Sequence, residues 1–263
     1  MTLSAHKNSI VYSCYYAYSR EGEQFVPEHV FSYQISGRVV LFDGDREYSC
    51  EPGDFRLSRR NQLVKFKKYP PEGGAVRSVS VYLEQALLKR LAVELGVQKG
   101  KTHEGGPLFQ LRQSTVYKSY FDSLTPYEDQ VMLAPLVALK LKEAVLVLLQ
   151  EDPWTREVLF DFAEPGKIDL EEFMNRNFHF NVELKRFAYL TGRSLATFKR
   201  DFERIFHTSP SRWLQQRRLE EAHYLIKEKG KAPSDVYLDL GFEDLSHFSF
   251  TFKRKYGVSP SRV

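Results

Sequence analysis

Residues 192–210 read GRSLATFKRDFERIFHTSP, and residues 241–260 read GFEDLSHFSFTFKRKYGVSP. At a spacing of 50, Phe198, Phe202, Phe206, Ser209 and Pro210 return as Phe248, Phe252, Tyr256, Ser259 and Pro260. Gly192 returns at a spacing of 49 as Gly241, so the second turn holds one extra residue. Aromatic residues four apart share one side of a helix. A glycine turn followed by a capping residue such as Ser194 marks where that helix begins. A shorter helical segment precedes each turn. In the first unit it is capped by Asn181 and carries Leu184, Phe187, Ala188 and Leu190; in the second it is Ser234–Leu240. Each set makes a helix-turn-helix unit. Between them Pro210 opens a long helix with Trp213, Leu214, Leu219, Ala222, Leu225 and Ile226, at a position where proline costs no intrahelical bond.

Upstream the period changes. Asp169 with Glu172 predicts a capped helix holding Leu170, Phe173 and Met174. Glu164-Pro165-Gly166 places a boundary between residues 1–165 and 166–263. Before Leu83 the chain alternates as strands do: Val30–Ile35, Arg38–Phe42, Arg46–Cys50, Phe55–Ser58, Leu63–Phe66, then Val79, Val81 and Leu83. Asp43-Gly44 and Glu51-Pro52-Gly53-Asp54 are the intervening turns. Short strands spaced this closely predict a β-sandwich or small barrel. Helical segments follow at Ala86–Leu95 and Val116–Leu124, joined by a polar loop at Lys101–Pro107. The long apolar segment Val131–Gln150 either covers the sheet or pairs with its own copy. The class is α+β, multidomain.

The chain's 263 residues are 42% hydrophobic and 27% charged, a globular balance that excludes general disorder. Two cysteines, Cys14 and Cys50, exclude a disulfide framework and a cysteine-rich zinc module. Met1–Ile10 lacks an apolar leader core, and Val131–Leu149 is interrupted by Lys140, Lys142 and Glu143, so the expectation is a cytoplasmic chain with no membrane partner. Net charge is +4, unevenly spread: residues 166–263 carry 18 Lys and Arg against 13 Asp and Glu, while residues 1–165 carry 20 against 21. The positive excess lies with the helical repeat, which favours a polyanion.

At the repeat, the sequence resembles the AraC/XylS family of transcription regulators. Ala188, Gly192, Ser194, Phe198, Arg200, Phe202, Ser209, Pro210, Arg218, Leu219 and Ala222 match the first half of that pattern. Gly241, Phe242, Asp244, Ser246, Phe248, Ser249, Phe252, Lys253, Gly257, Ser259 and Pro260 match the second. Ser36-Gly37, Asp43-Gly44 and Pro52-Gly53-Asp54 look like the cupin-type β-barrel often found ahead of it. The resemblance implies a cupin-like N-terminal barrel with attached helices and an all-α DNA-binding domain of two units on a linker helix. It further implies a transcription regulator of double-stranded DNA that contacts RNA polymerase. The family suggests an activator, although the residues themselves do not separate activation from repression. Three positions depart from the pattern. His207 replaces the glycine before the first Ser-Pro, so that helix end is expected to differ. Tyr237 replaces a small residue, which implies looser packing of the second turn. Phe250 replaces a frequent arginine and removes a donor to base or phosphate.

A recognition helix presents its N-terminal turns to base edges while its apolar stripe packs inward. With Phe198 and Phe202 inward, Ser194, Leu195, Ala196, Thr197, Lys199 and Arg200 are the candidate contacts of the first unit. Arg200, then Lys199, can donate to guanine O6 and N7, and Ala196 or the Thr197 methyl suits a thymine methyl. In the second unit Leu245, Ser246, His247 and Ser249 face outward with Phe250 at the margin, a set poor in long donors. The first unit is therefore expected to read bases sharply, and the second methyl groups, shape and phosphate. The two helices should enter major-groove segments about 10 bp apart. Arg217 and Arg218 could touch phosphate, but packing or pairing with Glu220 or Glu221 is the favoured role.

For the N-terminal half three roles compete: a small-molecule sensor, a surface for a regulatory protein, and, distantly, a cupin-type enzyme. Of seven histidines only His29 falls in the strand region, and no His-x-His occurs, so no metal ligand set or cofactor is assigned. Gly-x-Ser-x-Gly, Walker and dinucleotide motifs are missing too. His29, Tyr33, Arg56 and Arg59 could line a polar pocket, but no ligand residue is assigned. A homodimer through Val131–Gln150 is a further expectation.

Overall fold

A computed structural model describes residues 9–97 and 105–263, with backbone alone for 20–24. The leader reading over residues 1–8 and the polar loop over 101–104 lie outside the described residues. Among the described residues nine strands form two antiparallel sheets: β1 Ile10–Tyr15, β2 Ser19–Val26, β3 His29–Ser36, β4 Arg38–Phe42, β5 Glu47–Cys50, β6 Phe55–Ser58, β7 Gln62–Tyr69, β8 Val76–Leu83 and β9 Leu108–Gln110. One sheet runs β1-β8-β3-β6-β9 and the other β2-β7-β4-β5. No strand pairing joins them among the described residues, so the expected closed cupin-like barrel is corrected to two facing sheets. The chain changes sheet between β3 and β4 at Gly37 (φ 68°), where a Cβ would lie 2.9 Å from Val76 Cγ2. It changes again between β6 and β7 at Asn61 (φ 59°), a residue type that tolerates the left-handed region. These corners turn the chain out of one ladder into the other, leaving two sheets where a barrel would need one continuous ladder.

Strand alternation assigns each face. Val30, with Val39, Leu41, Cys50, Val64 and Val76, fills a small core between the sheets. Phe31, one residue on, points the other way with Phe55, Leu57, Val79, Val81 and Leu83. Against that face lie helices α1 Gln85–Glu94, α2 Thr115–Asp122, α3 Ala134–Glu151 and α4 Thr155–Leu159. The clean Val79–Val81–Leu83 alternation thus serves the helix layer, not the space between sheets. Tyr117 is buried there with its hydroxyl donating to Asp152 Oδ2 at 2.8 Å, which satisfies the polar end of the ring. α3 covers the sheet with Leu141, Ala144, Val145 and Leu148, leaving Leu139 and Leu146 exposed on its other side.

Six helices follow: α5 Leu170–Asn177, α6 Leu184–Leu190, α7 Leu195–Phe206, α8 Pro210–Lys227, α9 Pro233–Asp239 and α10 Leu245–Tyr256. Asp169 caps α5 by accepting from Glu172 N at 2.7 Å. Asn181 does not cap α6; Glu183 holds that position, and the Asn181 amide donates to Glu243 Oε1 at 2.7 Å, linking the first unit to the second turn. Phe187, Phe198, Phe202, Phe248 and Phe252 are all buried in one core, as repeated inward aromatics require. The outer face of the four-stranded sheet lies on this helical region. Leu63 joins its core, Phe42 stands 5.1 Å from the His179 ring, and Arg176 pairs with Asp45 at 3.4 Å.

Candidate nucleic-acid interface

The two helix-turn-helix units are built alike, detail by detail. α6 ends in a left-handed glycine, Gly192 (φ 63°), and α9 in Gly241 (φ 78°). The first turn closes with Arg193 N donating to Ala188 O at 2.9 Å, the second with Phe242 N donating to Tyr237 O at 2.9 Å. The turn expected to loosen at Tyr237 therefore keeps the first turn's bond; Tyr237 sits half-buried where Ala188 is buried. Ser194 caps α7 by accepting from Thr197 N at 3.2 Å, and Asp244 caps α10 by accepting from His247 N at 2.7 Å. Both helices run twelve residues and end left-handed, at His207 (φ 53°) and Gly257 (φ 79°). His207 takes the glycine conformation despite its Cβ, so the first helix end matches the second and does not differ as expected.

Glycine is required at both turns by close approach as well as by φ. A Cβ on Gly192 would lie 2.4 Å from Gly166 C, and one on Gly241 would lie 2.7 Å from His179 O and 2.9 Å from Arg218 Cζ. Arg218, buried on the linker helix, donates to the carbonyls of Phe178 (2.7 Å), Phe180 (2.7 Å) and Gly241 (2.9 Å). It fixes the second turn to the segment between α5 and α6. Arg193 does the same for the first turn, bonding Asp201 Oδ2 at 3.1 Å and Ile168 O at 3.0 Å. The Arg193 pair holds the Asp201 carboxyl below its ordinary range.

On α7, Leu195, Ala196, Lys199 and Arg200 are exposed. Ser194 is exposed but its hydroxyl is engaged as the cap, and Thr197 is half-buried with its hydroxyl 3.0 Å from Ser194 Oγ. On α10, Leu245, Ser246 and His247 are exposed while Ser249 is half-buried, so Thr197 and Ser249 face outward less than expected. Phe250 is 65% exposed and stands mid-face rather than at the margin. Four further exposed residues continue the same faces: Glu203 and Arg204 on α7, Lys253 and Arg254 on α10. Their spacing of three and four from Arg200 and Phe250 is the signal that would have found them.

A cleft of about 470 Å³ lies where the sheets meet the helical region. His29, Arg59, Arg60 and Asn61 line one wall, Ile168 and Phe173 the other. Of the four residues considered for a polar pocket, His29 and Arg59 are here. Tyr33 instead stacks on Phe55 at 4.8 Å, and Arg56 is buried beside Gln34. Burial, with Arg60 and Arg59 nearby, lowers the His29 pKa to about 3, and burial with Lys65 and Arg218 lowers that of His179 to about 3. Both rings are neutral.

The Helix-turn-helix domain family matches residues 187–263, and the ExsA N-terminal regulatory domain family matches residues 29–157. The chain is 28% identical over 233 residues to the HTH-type transcriptional regulator ExsA of Pseudomonas aeruginosa, covering 87% of this chain and 83% of that one. It is 29% identical over 249 residues to the thermoregulatory protein LcrF of Yersinia pestis, covering 94% and 89%. A crystal structure of apo ToxT from Vibrio cholerae superposes with a TM-score of 0.46 at 14% identity, covering 97% of this chain and 96% of that one.

Proposed function

We infer that the chain belongs to the AraC/XylS family and is a DNA-binding transcription activator with an N-terminal regulatory domain. Residues 166–263 bind duplex DNA in a sequence-specific way, with α7 and α10 in successive major-groove segments. The observation that carries this reading is the matched geometry of the two units, each with its capped twelve-residue helix displaying an exposed face. Arg200 and Lys199 supply the long donors of the first unit, flanked by Leu195 and Ala196. Leu245, Ser246 and His247 line the second. Residues 1–165 regulate this activity, and RNA polymerase is the downstream partner that the family implies. Work on DNA places the protein in the cytoplasm. Among the described residues no helix is long and apolar enough to cross a membrane.

Selection of bound fragments from random duplexes tests the reading. Two half-sites about 10 bp apart should be enriched, and affinity should fall steeply as salt rises, because Lys and Arg displace condensed counterions. Failure to retain any duplex at low ionic strength would reject it.

The effector reading rests on the cleft. A small molecule seated between His29, Arg59, Arg60 and Phe173 bears on both regions at once. A ligand bound only by the native fold raises the melting midpoint, so metabolite mixtures should contain one that shifts it. No shift, together with co-purification of a protein on residues 1–165, would favour the regulatory-protein reading. Val131, Leu133, Leu139 and Leu146, exposed on and just before α3, support a homodimer through that helix. Light scattering that shows a monomer at micromolar concentration would retire it.

A further inference from the structure

We propose that Phe250 is a specificity-determining residue that reads the 5-methyl group of a thymine in the half-site entered by α10. The proposal deepens, and rests on, the reading of α10 as a groove helix. Phe248, Thr251 and Phe252 are buried in the helical core. Ser246 and His247, a turn before Phe250, and Lys253 and Arg254, a turn after it, are all exposed. Phe250 therefore stands near the centre of the outward face, opposite the buried aromatics. The 50-residue repeat sets it on Arg200, which holds the same place on α7 between exposed Ala196 and exposed Glu203 and Arg204. One unit thus offers a guanidinium to the groove where the other offers a phenyl ring.

A phenyl ring cannot donate to guanine or pair with adenine. In the major groove the apolar feature it can cover is the thymine methyl. The cations beside it are suited to the rest of the contact. The Arg254 guanidinium lies 5.8 Å from the Phe250 ring centroid, and with Lys253 it can hold the flanking phosphates while the ring settles on the base edge. A donor-poor second recognition helix then reads one base position by shape and methyl contact.

The full chain and the operator obtained by selection suffice for a test. Each thymine of the second half-site is replaced in turn by deoxyuridine, which removes only the methyl group. At one thymine the wild-type chain should bind about fourfold more weakly, the effect of one exposed methyl. Phe250→Ala should bind the thymine operator more weakly by at least that factor and no longer distinguish thymine from uracil. Phe250→Arg should shift selection at that position from thymine to guanine. Thermal melting of both variants checks that they fold, which the exposed position leads us to expect. The proposal falls if no thymine is methyl-sensitive, if Phe250→Ala still discriminates, or if Phe250→Arg selects the same base. Should the wild-type chain enrich no duplex, the DNA-binding reading fails first and takes this one with it.

Discussion

Lys65, on strand β7, donates a hydrogen bond of 2.8 Å to the carbonyl oxygen of Asp239, the last residue of α9. A cation at a helix C-terminus meets the negative end of the helix dipole and carbonyls that lack intrahelical partners. The same ammonium donates to His179 O at 2.8 Å, while Arg218 takes the carbonyls on either side, Phe178 and Phe180. Two buried cations, one from the regulatory sheet and one from the linker helix, share a single row of carbonyls. Lys65 thereby ties that sheet to the last residue of α9 in the second helix-turn-helix unit.

Lys65→Met keeps the apolar stem and removes the donor, so two carbonyls at the seam lose it. We expect a loss of roughly 2–3 kcal/mol in urea unfolding, together with altered DNA affinity. An unchanged unfolding midpoint and unchanged binding would show that the seam does not couple the two regions.

Neighbouring arginines should differ in what their loss costs. Arg218→Met strands three buried carbonyls and should cost roughly 3 kcal/mol or more. Arg217→Met removes a half-buried i,i+4 pair to Glu221 at 3.2 Å and a guanidinium 4.4 Å from the Phe178 ring, and should cost only about 1 kcal/mol. Equal losses for the two would contradict the role assigned to Arg218.

Acid should weaken the fold before carboxylates titrate. His29 and His179 are neutral in the native state, with pKa values lowered to about 3, mainly by burial. The unfolded chain takes up protons near the ordinary value of about 6.5, so it gains as pH falls. Their contribution is complete above about pH 7 and is lost progressively from about 6.5 towards 3, at roughly 2 kcal/mol per pH unit between 6 and 5. Urea midpoints at pH 7, 6 and 5 measure the slope, which His179→Leu should reduce by about half.

His207 supplies a stabilising substitution. Its left-handed φ of 53° strains a residue with a Cβ. His207→Gly relieves that strain but makes the unfolded chain more flexible, for a net gain of about 0.5–1 kcal/mol. A lower melting temperature would mean that the imidazole makes a compensating contact.

Arg200→Ala should relax preference at one base position by roughly 1–3 kcal/mol and leave others unchanged. Binding to a panel of operator variants decides it. Uniform weakening across the panel would make Arg200 a phosphate contact instead.

The helical repeat was legible because its signals are short-ranged. The aromatic spacing of four, Ser194 as a cap, and Gly192 and Gly241 as turns all act within one unit of about 25 residues. Helix α10 runs over Leu245–Tyr256, between the cap at Asp244 and the left-handed Gly257. The same local logic placed Phe55–Ser58 as a strand and Asp43-Gly44 as the turn whose Asp43 side chain accepts from Asp45 N and Arg46 N. It missed β2, whose polar run Ser19–Gln24 resembles loop, and β1, although Ile10, Val11, Tyr12 and Tyr15 are residues that favour strands, and it assigned Asn181 to a cap that Glu183 occupies.

Alternation along β8 told that Val79, Val81 and Leu83 share a face, but not that helices rather than the second sheet would cover it. Strand period specifies sidedness, and the covering layer is chosen by partners far along the chain. The corners at Gly37 and Asn61 likewise show their consequence, two sheets instead of a barrel, only once strand pairing is complete. Lys65 reads in sequence as an ordinary surface lysine; its partner at Asp239 is 174 residues away. Sequence alone determined the two matched helix-turn-helix units, since caps, turns and helical periodicity are settled between near neighbours. Tertiary structure alone decided the seam, the cleft and the central place of Phe250, because each depends on which distant surfaces are buried together and which are left to solvent.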